Sequence, residues 1–197
     1  MATKAKPQGR AKPKPPGTRD AILERAVDLA STEGLEGLTI GRLASDMGLS
    51  KSGLFGHFGS KEELQLATVE HAARRFVAEV VEPAYRGTAA GPGRLRALME
   101  RYLDHMESEV FPGGCFWAAA SAEFDGRPGP VRDRVKDGTA AWLAELERQG
   151  EAAGADDPRQ LAFELHALAA GANQRFQLFG DREAFARARR AIERLLP

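Results

Sequence analysis

Leu38-Thr39-Ile40-Gly41-Arg42-Leu43-Ala44-Ser45-Asp46-Met47-Gly48-Leu49-Ser50-Lys51-Ser52-Gly53-Leu54-Phe55-Gly56-His57-Phe58-Gly59-Ser60-Lys61 decides the fold of this chain. Its spacing predicts two short helices joined by a tight turn, then the cap of a longer third helix. Leu43 and Met47 lie four apart on the first short helix, and Ala44 is small where a second helix must cross closely. Gly48 falls where the chain turns, and a left-handed backbone is least costly for glycine. Leu49, Leu54 and Phe58 point back to one small core, whereas Ser50, Lys51, Ser52 and Gly53 bring no apolar face to the start of the second helix. Thr39, Ser50 and Ser60 stand at helix starts as N-caps. Glu63, three residues after Ser60, gives a capping-box pattern. A hairpin inside a plain bundle would need a broad apolar face on its second helix, and residues 50–53 offer none. The layout is that of a helix-turn-helix DNA reader.

Length and charge bound the rest. A chain of 197 residues suits a three-helix head plus one larger body. No apolar run approaches membrane-spanning length, and the N-terminus has charge without an apolar signal core, so a soluble cytoplasmic protein is expected. One cysteine excludes an internal disulfide and leaves no zinc-ligand cluster. Net charge is formally zero, yet residues 1–19 hold Lys4, Lys6, Arg10, Lys12, Lys14 and Arg19 without an acid. The run Lys12-Pro13-Lys14-Pro15-Pro16 cannot pack a core and should be extended. It reads either as a solubilising tail or as a clamp for phosphates or a minor groove, and a head otherwise short of positive charge favours the clamp.

From about Thr18 to Phe76 the chain resembles the TetR/AcrR-type transcriptional regulators. The resemblance rests on Ala21-Ile22-Leu23-Glu24-Arg25-Ala26-Val27-Asp28-Leu29-Ala30, Glu33-Gly34, Leu38-Thr39-Ile40, Leu43-Ala44, Gly48-Leu49-Ser50, Leu54-Phe55-Gly56-His57-Phe58 and Ser60-Lys61-Glu62-Glu63-Leu64. It implies a homodimer, a three-helix DNA-binding head, a larger helical ligand-binding body, and repression relieved by a small molecule. The family usually has Tyr where this chain has Phe55, so a hydroxyl that would bind a phosphate is missing.

In such a reader the first turn of the second short helix enters the major groove. Lys51 reaches a guanine edge or a phosphate, Ser50 and Ser52 bond bases or phosphates, and Gly53 allows close approach. Thr39 and Lys61, at neighbouring helix starts, should bind flanking phosphates. Arg42, Phe55 and His57 complete the expected DNA face; a lone histidine serves packing or solvent as readily as a phosphate.

The remaining pattern is all-helical. Helices are expected at about 18–33, 40–47 and 51–57, from Ser60 toward Pro83, then at about 93–110, 115–124, 130–151, 158–179 and 182–196. That makes an all-α fold of about nine helices, with an arm at 1–17, a head at 18–64 continuing into helix four to about 83, and a ligand-binding and dimerisation body at 65–197. Helix four, which joins head to body, is the expected lever. On helix eight, Leu161, Leu165, Leu168, Ala172, Phe176 and Phe179 share one face. Phe163, Ala167, Ala170, Gly171 and Leu178 make a second apolar flank. Such a helix needs two partners, and a second copy of the chain would supply one. Ala188, Ile192 and Leu195 of helix nine are expected to join that seam; the alternative buries both faces within one subunit. Dimerisation would also bring two heads to half-sites of a palindromic operator about 34–36 Å apart, or a multiple.

The body gathers Met99, Tyr102, Met106, Phe116, Trp117, Trp142, His166 and Asn173. Such residues are commonly plain core. As a pocket they would suit a small apolar or aromatic inducer, with Tyr102, His166 and Asn173 orienting it. Cys115, at a helix start, is either a small buried residue or, with the helix end favouring thiolate, a redox or electrophile sensor. No nucleophile motif, metal-spaced ligand set or phosphate-cradling glycine loop points to an enzyme or a cofactor. A non-specific architectural DNA binder held by its basic arm is the remaining alternative.

Overall fold

The computed structural model describes residues 18–108 and 111–197. The basic arm and its proposed clamp, residues 1–17, lie outside the described residues. No strand occurs among the described residues. The helices are α1 (Arg19–Glu33), α2 (Ile40–Met47), α3 (Lys51–Phe58), α4, α5 (Pro92–Glu107), α6 (Phe116–Phe124), α7 (Pro130–Ala153), α8 (Pro158–Phe179) and α9 (Glu183–Leu195). Helix α4 is continuous in three parts, Lys61–Phe76, a π-helical turn Val77–Val81, and Glu82–Tyr85.

Local chemistry accounts for these boundaries. The side chains of Thr18, Thr39, Ser50, Ser60 and Asp157 each accept the backbone N–H three residues on. Pro92, Pro130 and Pro158 occupy first helical positions, where a missing N–H costs nothing. Gly48 closes α2 in the left-handed region at φ 65°. Pro83 neither ends nor sharply stops α4. The helix widens just before it, the Glu82 N–H bonding the Val77 carbonyl five residues back. A widened turn is one way a helix absorbs a proline that cannot donate.

Two apolar cores form. One unites α1, α2, α3 and the first part of α4 with Phe111, with Phe116, Ala120 and Phe124 of α6, and with Val131 and Val135 of α7. The other joins Phe76 and Val80 of α4 to α5, α7, α8 and α9. Trp117 packs against both.

Helix α9 turns inward. Ala188 and Ile192 are 4% and 2% exposed in the second core, which corrects their expected place on a dimer seam, and Leu195 is half-buried against the same core. Ion pairs hold α9 there: Arg189 reaches Glu100 at 3.1 Å, Asp104 at 2.7 Å and Glu107 at 2.8 Å on α5. Phe179 is also corrected, lying exposed at the last turn of α8. No helix among the described residues is long and apolar enough to cross a membrane.

Candidate DNA interface and ligand cavity

Helix α3 stands on two anchors. Leu54 and Phe58 are buried in the first core, while Lys51, Ser52, Gly53, Phe55, Gly56 and His57 are exposed. The Ser50 hydroxyl accepts the Gly53 N–H at 3.1 Å and lies 3.3 Å from the Ser52 hydroxyl. Lys51 lays its stem across the first turn of α2, where a Cβ on Gly41 would stand 3.3 Å from Lys51 Cε. Phe55 is 58% exposed, an apolar surface at the middle of this face. Thr39 is half-buried, its hydroxyl accepting the Arg42 N–H at 3.0 Å.

Two expected DNA contacts are already engaged. Arg42 pairs with Glu33 and reaches Asp46 at 3.5 Å, and Asp46 accepts Arg25 Nε at 2.5 Å. The guanidinium of Arg42 thus joins α1 to α2 through a part-exposed ion pair. The hydrogen bond from Arg25, aided by Arg42, holds the Asp46 carboxyl below its ordinary pKa. Lys61 Nζ lies 2.6 Å from Glu36, and that bond holds the Glu36 carboxyl low as well.

Several polar contacts tie the head to the body, among them the Gly113 N–H donating to the Ser31 hydroxyl at 3.1 Å. The Glu123 carboxylate of α6 accepts the N–H groups of Leu35 at 2.7 Å and Glu36 at 3.1 Å, closing the turn between α1 and α2. On α4, Arg75 pairs with Glu24 of α1 at 3.0 Å and with Glu79 of the π turn at 2.9 Å. Glu79 in turn lies 3.0 Å from His105 of α5. Burial pushes the Glu79 carboxyl up, but His105 and Arg75 outweigh it and hold the group below its ordinary range.

Behind these ties the body encloses a cavity of about 670 Å³ bounded by α4, α5, α6, α7 and α8. Phe76, Tyr102 and Trp142 pack edge-on or tilted, with centroids 5.0–5.7 Å apart. The Trp117 indole lies on the backbone of Gly138, where a Cβ would meet it at 2.3 Å. Met106, Val77 and His166 complete the apolar wall. Burial lowers the pKa of His166, so its ring is neutral at neutral pH. The indole Nε1 of Trp142 is buried without a hydrogen-bond partner among the described residues.

Residues 22–68 match the family described as bacterial regulatory proteins, tetR family, and residues 91–192 match the tetracyclin repressor-like C-terminal domain. The chain belongs to the TetR family. Among curated relatives, the HTH-type transcriptional repressor AcnR of Corynebacterium efficiens is 41% identical over 69 residues, 35% of this chain and 37% of that protein. The repressor DrrR1 of Streptomyces coeruleorubidus is 33% identical over 88 residues, 45% of this chain and 30% of that protein. The chain therefore spans about a third of the length of these curated relatives. Solved structures share the fold far more widely. A TetR regulator from Legionella pneumophila superposes with a TM-score of 0.78 at 18% identity, covering 89% of this chain and 95% of that one. AibR, in complex with isovaleryl coenzyme A and operator DNA, superposes with a TM-score of 0.73 at 22% identity, covering 90% and 97%.

In this TetR-family chain Tyr102, Met106, Trp117, Trp142 and His166 line the cavity, and four further residues expected there do not. Met99 and Phe116 are buried in the second and first cores respectively, and Asn173 is 5% exposed on α8 away from the wall. Cys115 lies behind Tyr102, 3% exposed. Burial raises its thiol pKa despite the backbone N–H groups of Ala118 and Trp117, which favours the reading of a small buried residue over that of a thiolate sensor. Burial likewise raises the Tyr102 hydroxyl well above its ordinary range.

On α8, Phe163 and Leu178 are 65% and 69% exposed, with Ala167 and Gly171 exposed between them. Ala170 is half-buried and faces the cavity instead. Sequence reasoning missed the polar cavity residues Asp125, Asp137 and Glu145 and the anchor Glu123. Polar residues on a helix flank look alike in sequence whether they meet solvent or a cavity.

Proposed function

We propose that this protein is a sequence-specific DNA-binding transcriptional repressor, working in the cytoplasm as a homodimer on a palindromic operator and released by a small molecule. The exposed first turn of α3 carries the reading: Lys51, Ser52 and Gly53 stand clear of the molecule above two buried anchors. An α-helix presented this way fits a major groove. Phe55 offers an apolar contact of the kind that suits a thymine methyl. Residues 18–64 are the reading head and 65–197 the sensing and pairing body in this proposal.

The apolar stripe Phe163, Ala167, Gly171 and Leu178 supports pairing through α8. Exposed alone, this stripe would stay in contact with water; against a second α8 its side chains are buried. The repressors AcnR and DrrR1 support the sign of regulation, and AibR, held with both isovaleryl coenzyme A and operator DNA, supports a small-molecule effector.

Release follows from ties that helices of the cavity wall make to the head. One face of α6 carries Trp117 and Ser121 into the cavity, and the other carries Phe116, Ala120 and Glu123 to the head. Helix α4 likewise presents Phe76 and Val77 to the cavity and Arg75 to α1. A ligand that favours one placement of these helices shifts the heads only by its differential affinity for the two placements. Both α6 and α4 therefore act as levers, where the sequence points to helix four alone.

A gel-shift competition between the protein's own promoter region and random DNA tests the reading. The promoter should be retained at random-DNA excess, and Lys51→Ala should cost about 1–3 kcal/mol of discrimination. Equal retention of both DNAs, or no effect of Lys51→Ala on affinity and preference, defeats the proposal.

A further inference from the structure

The cavity wall is aromatic, but its charge is one-sided. Asp125, Asp137 and Glu145 line it, and Arg134 is its single cationic residue. Arg134 is partly offset by Glu70 at 4.0 Å. Glu145 is satisfied by the Tyr85 hydroxyl at 2.7 Å, by Gln149 at 3.0 Å and by Arg148. Asp125 and Asp137 have no ion-pair partner among the described residues. They are exposed residues of the lining, whereas Tyr102 and Trp142 lie deep in it. Two unpaired carboxylates thus border a chamber walled by Phe76, Tyr102, Trp117 and Trp142.

We propose that the effector of this cavity is an amphipathic aromatic cation, with its rings among these side chains and its positive charge facing Asp125 and Asp137. Aromatic faces attract cations as well as rings, so the wall itself favours this sign of charge. The neutral His166 ring adds no repulsion. An anion would meet two carboxylates at the border, against the single lining cation Arg134. The volume of about 670 Å³ accommodates a drug-sized molecule. This inference rests on the reading of the body as the sensing part.

The two tryptophans of the chain both line the cavity, so intrinsic fluorescence reports its occupancy. The full chain is titrated with tetraphenylphosphonium and, separately, with tetraphenylborate, ions of similar size and opposite sign. The phosphonium should bind at least about tenfold more tightly. Asp125→Asn with Asp137→Asn should cut that preference to about threefold or less, with circular dichroism showing that the variant is folded. Equal binding, a preference for the borate, no response to either ion, or a preference undiminished in the folded double variant overturns the proposal. Promoter retention by the wild-type protein without either ion is read separately. Its failure defeats the repressor reading and leaves the charge preference to stand or fall alone.

Discussion

The head and the body bury their apolar side chains to opposite ends. In the head, Leu23, Leu35, Leu43 and Leu54 are at most 1% exposed and close on one another. In the body, Phe76, Tyr102, Trp117 and Trp142 surround space. A close-packed unit moves as a piece, whereas a hollow one can take a ligand and repack. Helix α6 belongs to both, since Phe116 is fixed in the closed core while its neighbour Trp117 faces the cavity. In the proposed function, sensing deforms the body and the head follows without changing its own packing.

The largest effect is expected where the two regions touch backbone to backbone. A Cβ on Gly113 would stand 1.8 Å from the Ser31 carbonyl oxygen, and neither chain segment can yield cheaply. Gly113→Ala should cost about 3 kcal/mol. Thermal melting should then fall by roughly 6–12 °C for a chain of this size. An unchanged melting temperature would show that the loop before α6 is loosely held against α1, and that the head is less tightly coupled than the contact implies.

Next comes the carboxylate that closes the head. Glu123→Ala strips two backbone N–H groups of their acceptor and should cost about 2 kcal/mol. Hydrogen exchange at Leu35 and Glu36 should speed up while amides of α8 keep their protection. Uniform acceleration across both regions would mean that head and body unfold as one unit, and the contrast between them would lose its mechanical meaning.

The same contrast explains what the sequence made legible. In the head, local chemistry dominates. Thr39, Gly48, Ser50 and Ser60 announce helix ends through their own side chains or backbone, and Leu43, Leu54 and Phe58 repeat at helical spacing. Every such signal lies within a few residues of the feature it makes. The cavity is different. Its wall is assembled from five helices, and nothing near Asp137 in sequence distinguishes a carboxylate at a cavity border from one in open solvent. Phe116 and Trp117 are adjacent and equally apolar, yet only the placement of α6 between two cores decides which one faces the space. The ion pair of Arg42 was illegible for a related reason: its partner Glu33 sits on another helix, and spacing along α2 does not reveal it.

A smaller effect tests whether the hollow body is also a reactive one. Because burial raises the Cys115 pKa, little thiolate exists at neutral pH. Alkylation by iodoacetamide at pH 7 should be about tenfold slower, or more, than that of an exposed thiol. The rate should climb only as pH rises beyond the ordinary thiol range. Fast alkylation of the native protein at neutral pH would restore a sensing thiol and make the body chemically rather than sterically responsive.

The smallest effect concerns the head's own charge. Lys61 and Glu36 pair at 2.6 Å with side chains 40% and 41% exposed, so a phosphate must draw Lys61 away from an internal partner. Exposed pairs of this kind contribute little, about 0.2–1 kcal/mol. Glu36→Gln should therefore tighten promoter binding by only about two- to fivefold. It should also steepen the salt dependence, since the ammonium then counts fully against phosphate. The Lys61 bond lowers the Glu36 pKa, so at neutral pH the carboxylate is ionised and the competition is complete. Acidification relieves it only below the ordinary carboxylate range. If Glu36→Gln and Lys61→Ala both leave affinity and salt dependence unchanged, the pair only braces the head. The contact with DNA then rests on α3 alone.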